Sequence, residues 1–173
     1  CLKRKHKDGR ISYYKYVLEC KLVVGNIVIS LDSEFIENNQ MLTEKQKQDC
    51  ETKAFKRMIK RIKSNYPKYK FIITGDGLYA TTPIINICKK YHWFFIFNLK
   101  PDRLKEVNDI FEGNIKLLNE TSKTNYFLSS NIEFKNNLIN FFKYNNIKNN
   151  KTTIFRYISN IIINNDNIDT IVQ

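Results

Sequence analysis

One aspartate, Asp76, is the residue of this sequence best placed to do chemistry, because glycines flank it and an apolar run precedes it. We predict that the run Phe71–Thr74 is a short buried strand, and open α/β sheets bind ligands at the carboxyl ends of such strands. Gly75 and Gly77 permit a sharp turn and the close approach of a ligand. Hard divalent cations prefer oxygen ligands. The segment therefore predicts a metal ligand at position 76, although Gly-Asp-Gly is also an ordinary turn.

The chain carries a large excess of positive charge. Its 173 residues include 29 Lys and Arg against 17 Asp and Glu, which gives a formal net charge of +12. Such an excess favours polyanions, nucleic acid first and an anionic membrane surface second. No apolar run has the length of a membrane span, and the basic start lacks the apolar core of a signal peptide. We therefore expect a cytoplasmic protein that binds nucleic acid and has no membrane partner.

Composition and cysteine spacing narrow the class of protein further. Hydrophobic residues make up 42% of the chain and aromatic residues 13%, which indicates one globular fold with a real core. The four cysteines, Cys1, Cys20, Cys50 and Cys88, are scattered and form no CxxC pair. We expect reduced, buried thiols and no zinc site.

A β-hairpin is predicted before any helix. Gly25-Asn26 is a two-residue turn signal between the strand-like segments Ile11–Val24 and Ile27–Leu31. Asp32 and Glu34 follow the second segment, and we predict that they lie on a loop.

A long basic helix is predicted next. Thr43 and Gln46 form a capping-box pattern at its start, and Tyr66-Pro67 ends it. The apolar positions that recur at helical spacing and would face a sheet are Cys50, Ala54, Phe55, Met58, Ile59 and Ile62. The cations assigned to the opposite side are Lys53, Lys56, Arg57, Lys60 and Lys63. Such a side is either simply solvated or contacts phosphates through counterion release.

A strand–helix–strand crossover carries the aspartate. A helix from Pro83 connects the Phe71–Thr74 strand to a second strand at Trp93–Asn98, and the two strands are predicted to be parallel. A further helix is predicted from Asp102 to Gly113. This alternation indicates an α/β fold, a mixed sheet with helices packed on its faces.

The amino-acid composition changes after Gly113, where Asn, Ile, Lys and Tyr dominate. The candidate strands there are Tyr126–Leu128, Ile132–Phe134, Leu138–Phe142 and Ile154–Ile158, and Asn145–Asn150 is predicted to be a polar loop. We therefore predict a core at residues 1–113 and a β-rich insertion or extension at residues 114–173.

This order of elements is similar to an RNase H-like core that lacks its first strand, and several strings resemble DDE transposases of bacterial insertion sequences. The strings are Ile11–Tyr14 through Glu19–Val23, Lys47–Glu51 with Ala54–Arg57, Gly75–Ala80 and the later Ile154–Asn160. The last of them resembles the strand that precedes the final catalytic helix of such enzymes.

The resemblance implies transposition by a metal-dependent phosphoryl transferase. In such enzymes two Mg²⁺ (or Mn²⁺) ions, held by three carboxylates, activate water or a DNA 3′-hydroxyl for attack on a phosphodiester. Asp76 matches the second carboxylate, whereas the first would precede Cys1 and the third would follow Gln173. We therefore expect the site to be completed by residues outside this chain. The implied partners are transposon ends and target DNA in a bacterial nucleoid, with no small-molecule cofactor.

Other residues have two interpretations each. Tyr79 would stack on a base or pack against the sheet. Lys3, Arg4 and Lys5, in a lead predicted to lack a strand, would contact phosphates or be solvated. The remaining acidic residues have structural explanations, for example a turn at Asp8.

Three predictions for the whole molecule remain open. A sheet without its first strand exposes an edge, so we expect self-association. The first alternative to an enzyme is a fragment that binds nucleic acid through charge alone. The second is a nucleotide-binding domain that uses the Gly75–Gly77 turn, but neither GxGxxG nor GxxxxGK[ST] occurs.

Overall fold

The computed structural model describes residues 2–36, 44–100, 105–114, 116–120, 124–148, 151–164 and 167. The chain forms two compact units, Cys1–Tyr69 and Lys70–Gln173. The predicted domain limits, 1–113 and 114–173, differ from this division.

The first unit begins with two small antiparallel sheets. Strand β1 (Leu2–Lys5) pairs with β2 (Ile11–Tyr14), and β3 (Tyr16–Val24) pairs with β4 (Ile27–Ile36). The prediction that the lead lacks a strand was wrong. Strand β1 has mostly charged side chains and therefore lacks the alternation of apolar and polar residues by which a strand is predicted. Its pairing with β2, and not an apolar face, defines it as a strand.

The predicted β3–β4 hairpin is confirmed, and its second strand is longer than expected. Gly25 has φ 57°, the left-handed conformation that a two-residue hairpin turn needs. The loop prediction for Asp32 and Glu34 was wrong, because β4 continues through both residues to Ile36. The register shifts between Cys20 and Lys21. A bulge of this kind adds a residue to one strand without ending the pairing.

Helix α1 (Glu44–Asn65) packs on β4 and ends where Tyr66-Pro67 was predicted to end it. The predicted apolar face is confirmed, since its described members are all buried: Ala54, Phe55, Met58, Ile59 and Ile62. The predicted cap at Thr43 and the side chain of Cys50 lie outside the described residues.

The second unit is a mixed sheet flanked by helices, as predicted. Its elements are β5 (Ile72–Gly75), α2 (Thr82–Lys90), β6 (Phe94–Asn98), α3 (Lys105–Asn114), β7 (Lys116–Glu120), β8 (Thr124–Phe134), β9 (Asn137–Lys148) and β10 (Lys151–Ser159). The strand order is β5-β6-β10-β9-β8-β7. Strands β5 and β6 are parallel, which confirms the predicted crossover, and the other described pairs are antiparallel. Asp102, the predicted start of α3, lies outside the described residues.

Aromatic side chains fill the core of this sheet. The α3 residue Phe111 stacks on Phe141 of β9, with ring centroids 3.7 Å apart. Phe142 points to the opposite face, where its ring stacks on Tyr157 of β10 at 4.8 Å. Both faces of the central strands therefore contribute apolar contacts, which a large sheet needs for stability.

Strand β10 joins the two parts of the sheet through a short seam. It pairs with β9 along its whole length but with β6 only from Tyr157 to Ser159. Side chains extend the seam. The Ser159 hydroxyl donates to the Phe95 carbonyl (2.7 Å), and the Asn160 amide accepts from Phe95 N–H (2.8 Å) and donates to the Trp93 carbonyl (3.1 Å). These bonds replace the backbone pairing that ends at Ser159.

Two details of the second unit differ from the prediction. Strand β5 is not buried, since Ile72 is 57% exposed. Strand β9 continues through Asn145 and Asn146, which were predicted to belong to a loop. Pairing on both sides, with β8 and with β10, holds these residues extended in spite of their low strand propensity.

Candidate functional site

Asp76 occupies a tight turn directly after β5. Its Oδ1 accepts a hydrogen bond from Leu78 N–H at 2.8 Å, and its carbonyl accepts one from Tyr79 N–H at 3.1 Å. The residue is exposed, and Oδ2 makes no hydrogen bond or ion pair with the rest of the described chain. One carboxylate oxygen therefore shapes the turn, while the other remains available to a ligand.

The two glycines beside Asp76 are required by close approach rather than by a left-handed backbone, since neither has a positive φ. A Cβ on Gly75 would lie 2.9 Å from Tyr79 Cδ2. A Cβ on Gly77 would lie 2.9 Å from Lys100 Cγ and 3.3 Å from the carbonyl oxygen of Asn98. The close approach that the sequence indicated is thus made by the chain's own side chains.

Strand register explains why Lys100 reaches this turn. In the parallel β5–β6 pair, Gly75 lies opposite Phe97, so the segment that follows β6 runs beside the segment that follows β5. Sequence reasoning missed Lys100, because the contact depends on how two strands separated by a helix align. The available signal was that a lysine follows the predicted parallel partner strand within two residues.

Tyr79 packs on the sheet, as one of its two interpretations predicted. Its ring lies against the backbone of Gly75, and the residue is half-buried. Its contact with a nucleic-acid base stays a prediction.

The described residues around this turn supply part of a donor set for a metal ion. Within the ranges that the structure describes, no group of three or more His, Cys, Asp or Glu side chains converges on one point. Two oxygens at the turn are of the hard type that Mg²⁺ prefers: Oδ2 of Asp76, and the carbonyl oxygen of Asn98, which is 3.3 Å from the position of a Cβ on Gly77. The residues present therefore fit one part of the coordination shell of such an ion.

The predicted cationic side of α1 divides into two groups. Lys53, Lys56 and Lys60 are exposed. Arg57 instead turns to β4, where its Nε donates to Glu34 Oε1 at 2.6 Å. Lys63 donates to the Pro67 carbonyl at 2.7 Å, just beyond the end of the helix.

Arg61, which sequence reasoning left out, forms a denser set of bonds than Arg57. Its guanidinium donates to both oxygens of Asp32 (3.1 and 3.2 Å), to Glu34 Oε2 (2.5 Å) and to the Ser33 carbonyl (3.0 Å). The hydrogen bonds from Arg57, and then those from Arg61, lower the pKa of the Glu34 carboxyl. Arg57 and Arg61 are four residues apart, so they share one side of the helix. This spacing could have indicated from the sequence that Arg61 belongs with Arg57.

These groups line a cavity of about 650 Å³ in the first unit. Its lining residues are Asp32, Ser33, Glu34, Phe35, Lys53, Arg57 and Arg61. The two arginines there are paired with carboxylates, and Lys53 is the lining cation that has no carboxylate partner within the described chain.

The amino-terminal cations Lys3, Arg4 and Lys5 are exposed on strand β1. They belong to the first unit together with the α1 cations, whereas Asp76, Tyr79 and Lys100 belong to the second. The structure thus places Asp76 and Tyr79 on one turn and adds Lys100 to them.

No protein-family model matches the chain, and no curated protein matches it. Among the described residues, none of the helices is long and apolar enough to cross a membrane.

Proposed function

We propose that this chain belongs to a DDE transposase with an RNase H-like catalytic domain, which would act on DNA in the bacterial cytoplasm. The observation that carries the proposal is the position of Asp76, an exposed carboxylate with one free oxygen at the carboxyl end of a parallel strand pair. Ligand sites of open α/β sheets occur at this position. The net charge of +12 supports a polyanionic substrate.

The proposed chemistry is metal-dependent phosphoryl transfer on transposon ends and target DNA. Asp76 would hold Mg²⁺ or Mn²⁺ through its free oxygen, and the ion would activate water or a DNA 3′-hydroxyl. One carboxylate cannot position two ions, so the proposal requires two further carboxylates in addition to Asp76. Asp76 in this proposal binds the metal, and it does not itself transfer a proton.

Isothermal titration with Mn²⁺ tests the role of Asp76. We expect Asp76→Asn to weaken Mn²⁺ binding by an order of magnitude or more, because a neutral amide replaces the charged ligand. The amide oxygen can still accept the Leu78 N–H bond, so the melting temperature should not change. The same variant should abolish any Mn²⁺-dependent nicking of supercoiled plasmid by the chain.

Asp109→Asn is the matched control, since Asp109 is an exposed aspartate of the same unit on α3. Equal Mn²⁺ affinity in the two variants would reject the metal-site proposal. Unfolding of Asp76→Asn alone would show that the carboxylate is needed for the turn.

The second candidate function is binding of nucleic acid by charge alone. It is favoured by Lys53, Lys56 and Lys60, which are exposed on α1 and, within the described chain, have no carboxylate partner. Its test is duplex-DNA affinity measured in EDTA over a series of salt concentrations. Steep salt dependence without metal, together with an unchanged affinity of Asp76→Asn, would favour this function over the enzymatic one.

A further inference from the structure

We propose that Lys100 contacts a DNA phosphate at the Asp76 site and that Gly77 positions it. This inference rests on the proposed function, because it assigns the substrate-binding cation to the same turn. Lys100 was not predicted from the sequence. It lies near the aspartate because the carboxyl ends of β5 and β6 lie side by side.

The first step of the argument is the contact between Lys100 and Gly77. A Cβ at position 77 would lie 2.9 Å from Cγ and 3.3 Å from Cδ of Lys100, distances at which an alanine would displace the lysine stem. The stem therefore lies across the glycine. The ammonium is two bonds beyond Cδ, so it lies within a few ångström of the turn that carries Asp76.

The second step concerns the backbone below the lysine. Leu99 is buried, and its N–H donates to the Arg156 carbonyl of β10 at 2.7 Å. Lys100, the next residue, is exposed. The bond at Leu99 holds the main chain next to the lysine, so binding a ligand has to order only the lysine side chain.

The third step is the charge arrangement. Asp76 lies on the turn, and the side chain of Lys100, which follows β6, packs against Gly77 of that turn. The two charges are opposite, yet within the described chain neither residue forms an ion pair. Arg57 and Arg61, by contrast, are held by carboxylates. A free carboxylate beside a free ammonium suits a phosphodiester with its metal ion, since the metal binds the carboxylate and the phosphate oxygens bind both cations.

The test is a salt titration of the affinity for a fluorescein-labelled DNA duplex. One lost phosphate contact should reduce the slope of log K against log salt by about one, so we expect this change in Lys100→Gln together with a several-fold weaker affinity at low salt. The control is Lys90→Gln, which removes an exposed lysine at the end of α2, just before β6 begins. If the proposal is correct, the slope for Lys90→Gln equals the slope for the unaltered chain within experimental error.

Gly77→Ala tests the positioning role. In the unaltered background it should weaken duplex binding as Lys100→Gln does, because its methyl group displaces the lysine stem. In the Lys100→Gln background it should have little further effect. Equal losses in both backgrounds would reject the coupling between the two residues. If Gly77→Ala does not fold, the comparison of Lys100→Gln with Lys90→Gln decides the proposal.

The outcomes separate this inference from the function on which it rests. If Asp76→Asn loses Mn²⁺ affinity while Lys100→Gln behaves like Lys90→Gln, the lysine assignment is wrong and the metal site stands. If Lys100→Gln weakens duplex binding while Asp76→Asn keeps its Mn²⁺ affinity, the turn binds phosphate without metal. A chain that binds no duplex even at low salt overturns both proposals.

Discussion

The tip of the β3–β4 hairpin and the centre of the six-stranded sheet are built from similar residues and have opposite environments. Val23 and Ile27 at the tip are 64% and 61% exposed, whereas Phe97 and Phe141 in the sheet are fully buried. Both regions are rich in β-branched and aromatic residues, the types that favour strands. The difference is that α2 and α3 cover the sheet, whereas within the described part of the first unit α1 packs on β4 near its carboxyl end. Strand formation and burial are thus separate properties of this sequence.

The largest expected effect is in the sheet. Phe141→Ala should reduce the free energy of unfolding by about 3–5 kcal/mol, because it removes a fully buried ring that stacks on Phe111. Val28→Ala at the hairpin tip should change it by less than about 0.5 kcal/mol. Urea denaturation of both variants measures the contrast. Similar losses in the two variants would mean that the tip is buried in solution.

The hairpin tip also bears on the predicted self-association. Val23 and Val28 lie opposite each other across β3 and β4, and both are mostly exposed. If copies of the chain associate through the tip, the double change Val23→Lys and Val28→Lys should raise the dissociation constant by about tenfold or more, since each buried valine contributes about 1.5–3 kcal/mol. Sedimentation velocity over a concentration series measures this. A monomer at all concentrations before any substitution would refute self-association.

A smaller effect is expected at the seam of the sheet. Ser159 is fully buried, and its hydroxyl donates to Phe95 and accepts from Ile161 N–H at 2.9 Å. Ser159→Ala should cost about 1–3 kcal/mol, because both backbone groups lose a partner. Thermal unfolding, with the exposed Ser130→Ala as control, measures the difference. If both variants melt at the same temperature, the seam does not depend on this side chain.

The smallest expected effect is a pH dependence in the first unit. The arginines lower the pKa of Glu34 below its ordinary value of 4.5, so its ion pairs stabilise the fold fully above that pH and lose their effect as the pH falls below it. The difference in melting temperature between the unaltered chain and Glu34→Gln should therefore shrink below about pH 4.5. Glu19 forms an exposed ion pair with Lys21, and Glu19→Gln is the comparison variant. A constant difference for Glu34→Gln between pH 7 and pH 3 would contradict the shift.

Features that depend on neighbouring residues could be predicted from the sequence. Gly25-Asn26 gave the hairpin, the spacing from Ala54 to Ile62 gave the buried side of α1, and the order of elements gave the parallel β5–β6 crossover. The first two follow from local conformational preference and periodicity, and the crossover follows from the order strand, helix, strand. The position of Asp76 directly after a strand belongs to the same class.

Features that depend on distant partners could not be predicted. Asp32 and Glu34 lie on a strand because the backbone of β3 pairs with them, and their side chains bind Arg61, 29 and 27 residues away. Asn145 is extended because β8 and β10 pair with it on both sides. Lys100 meets Gly77 because of the register between β5 and β6. Local sequence specifies none of these alignments.

The short seam between β10 and β6 determines the order in which the second unit can assemble. Strands β8, β9 and β10 are successive hairpins whose partners are near in sequence, whereas Phe95 and Asn160 meet across 65 residues. Closing so long a loop costs entropy before its contacts form. We therefore expect the β8–β9 and β9–β10 hairpins to form first and the parallel β5–β6 pair to pack against them last. The Asp76 turn, against which Lys100 packs, is built on that pair, so we expect it to join the rest of the unit in the last step of folding.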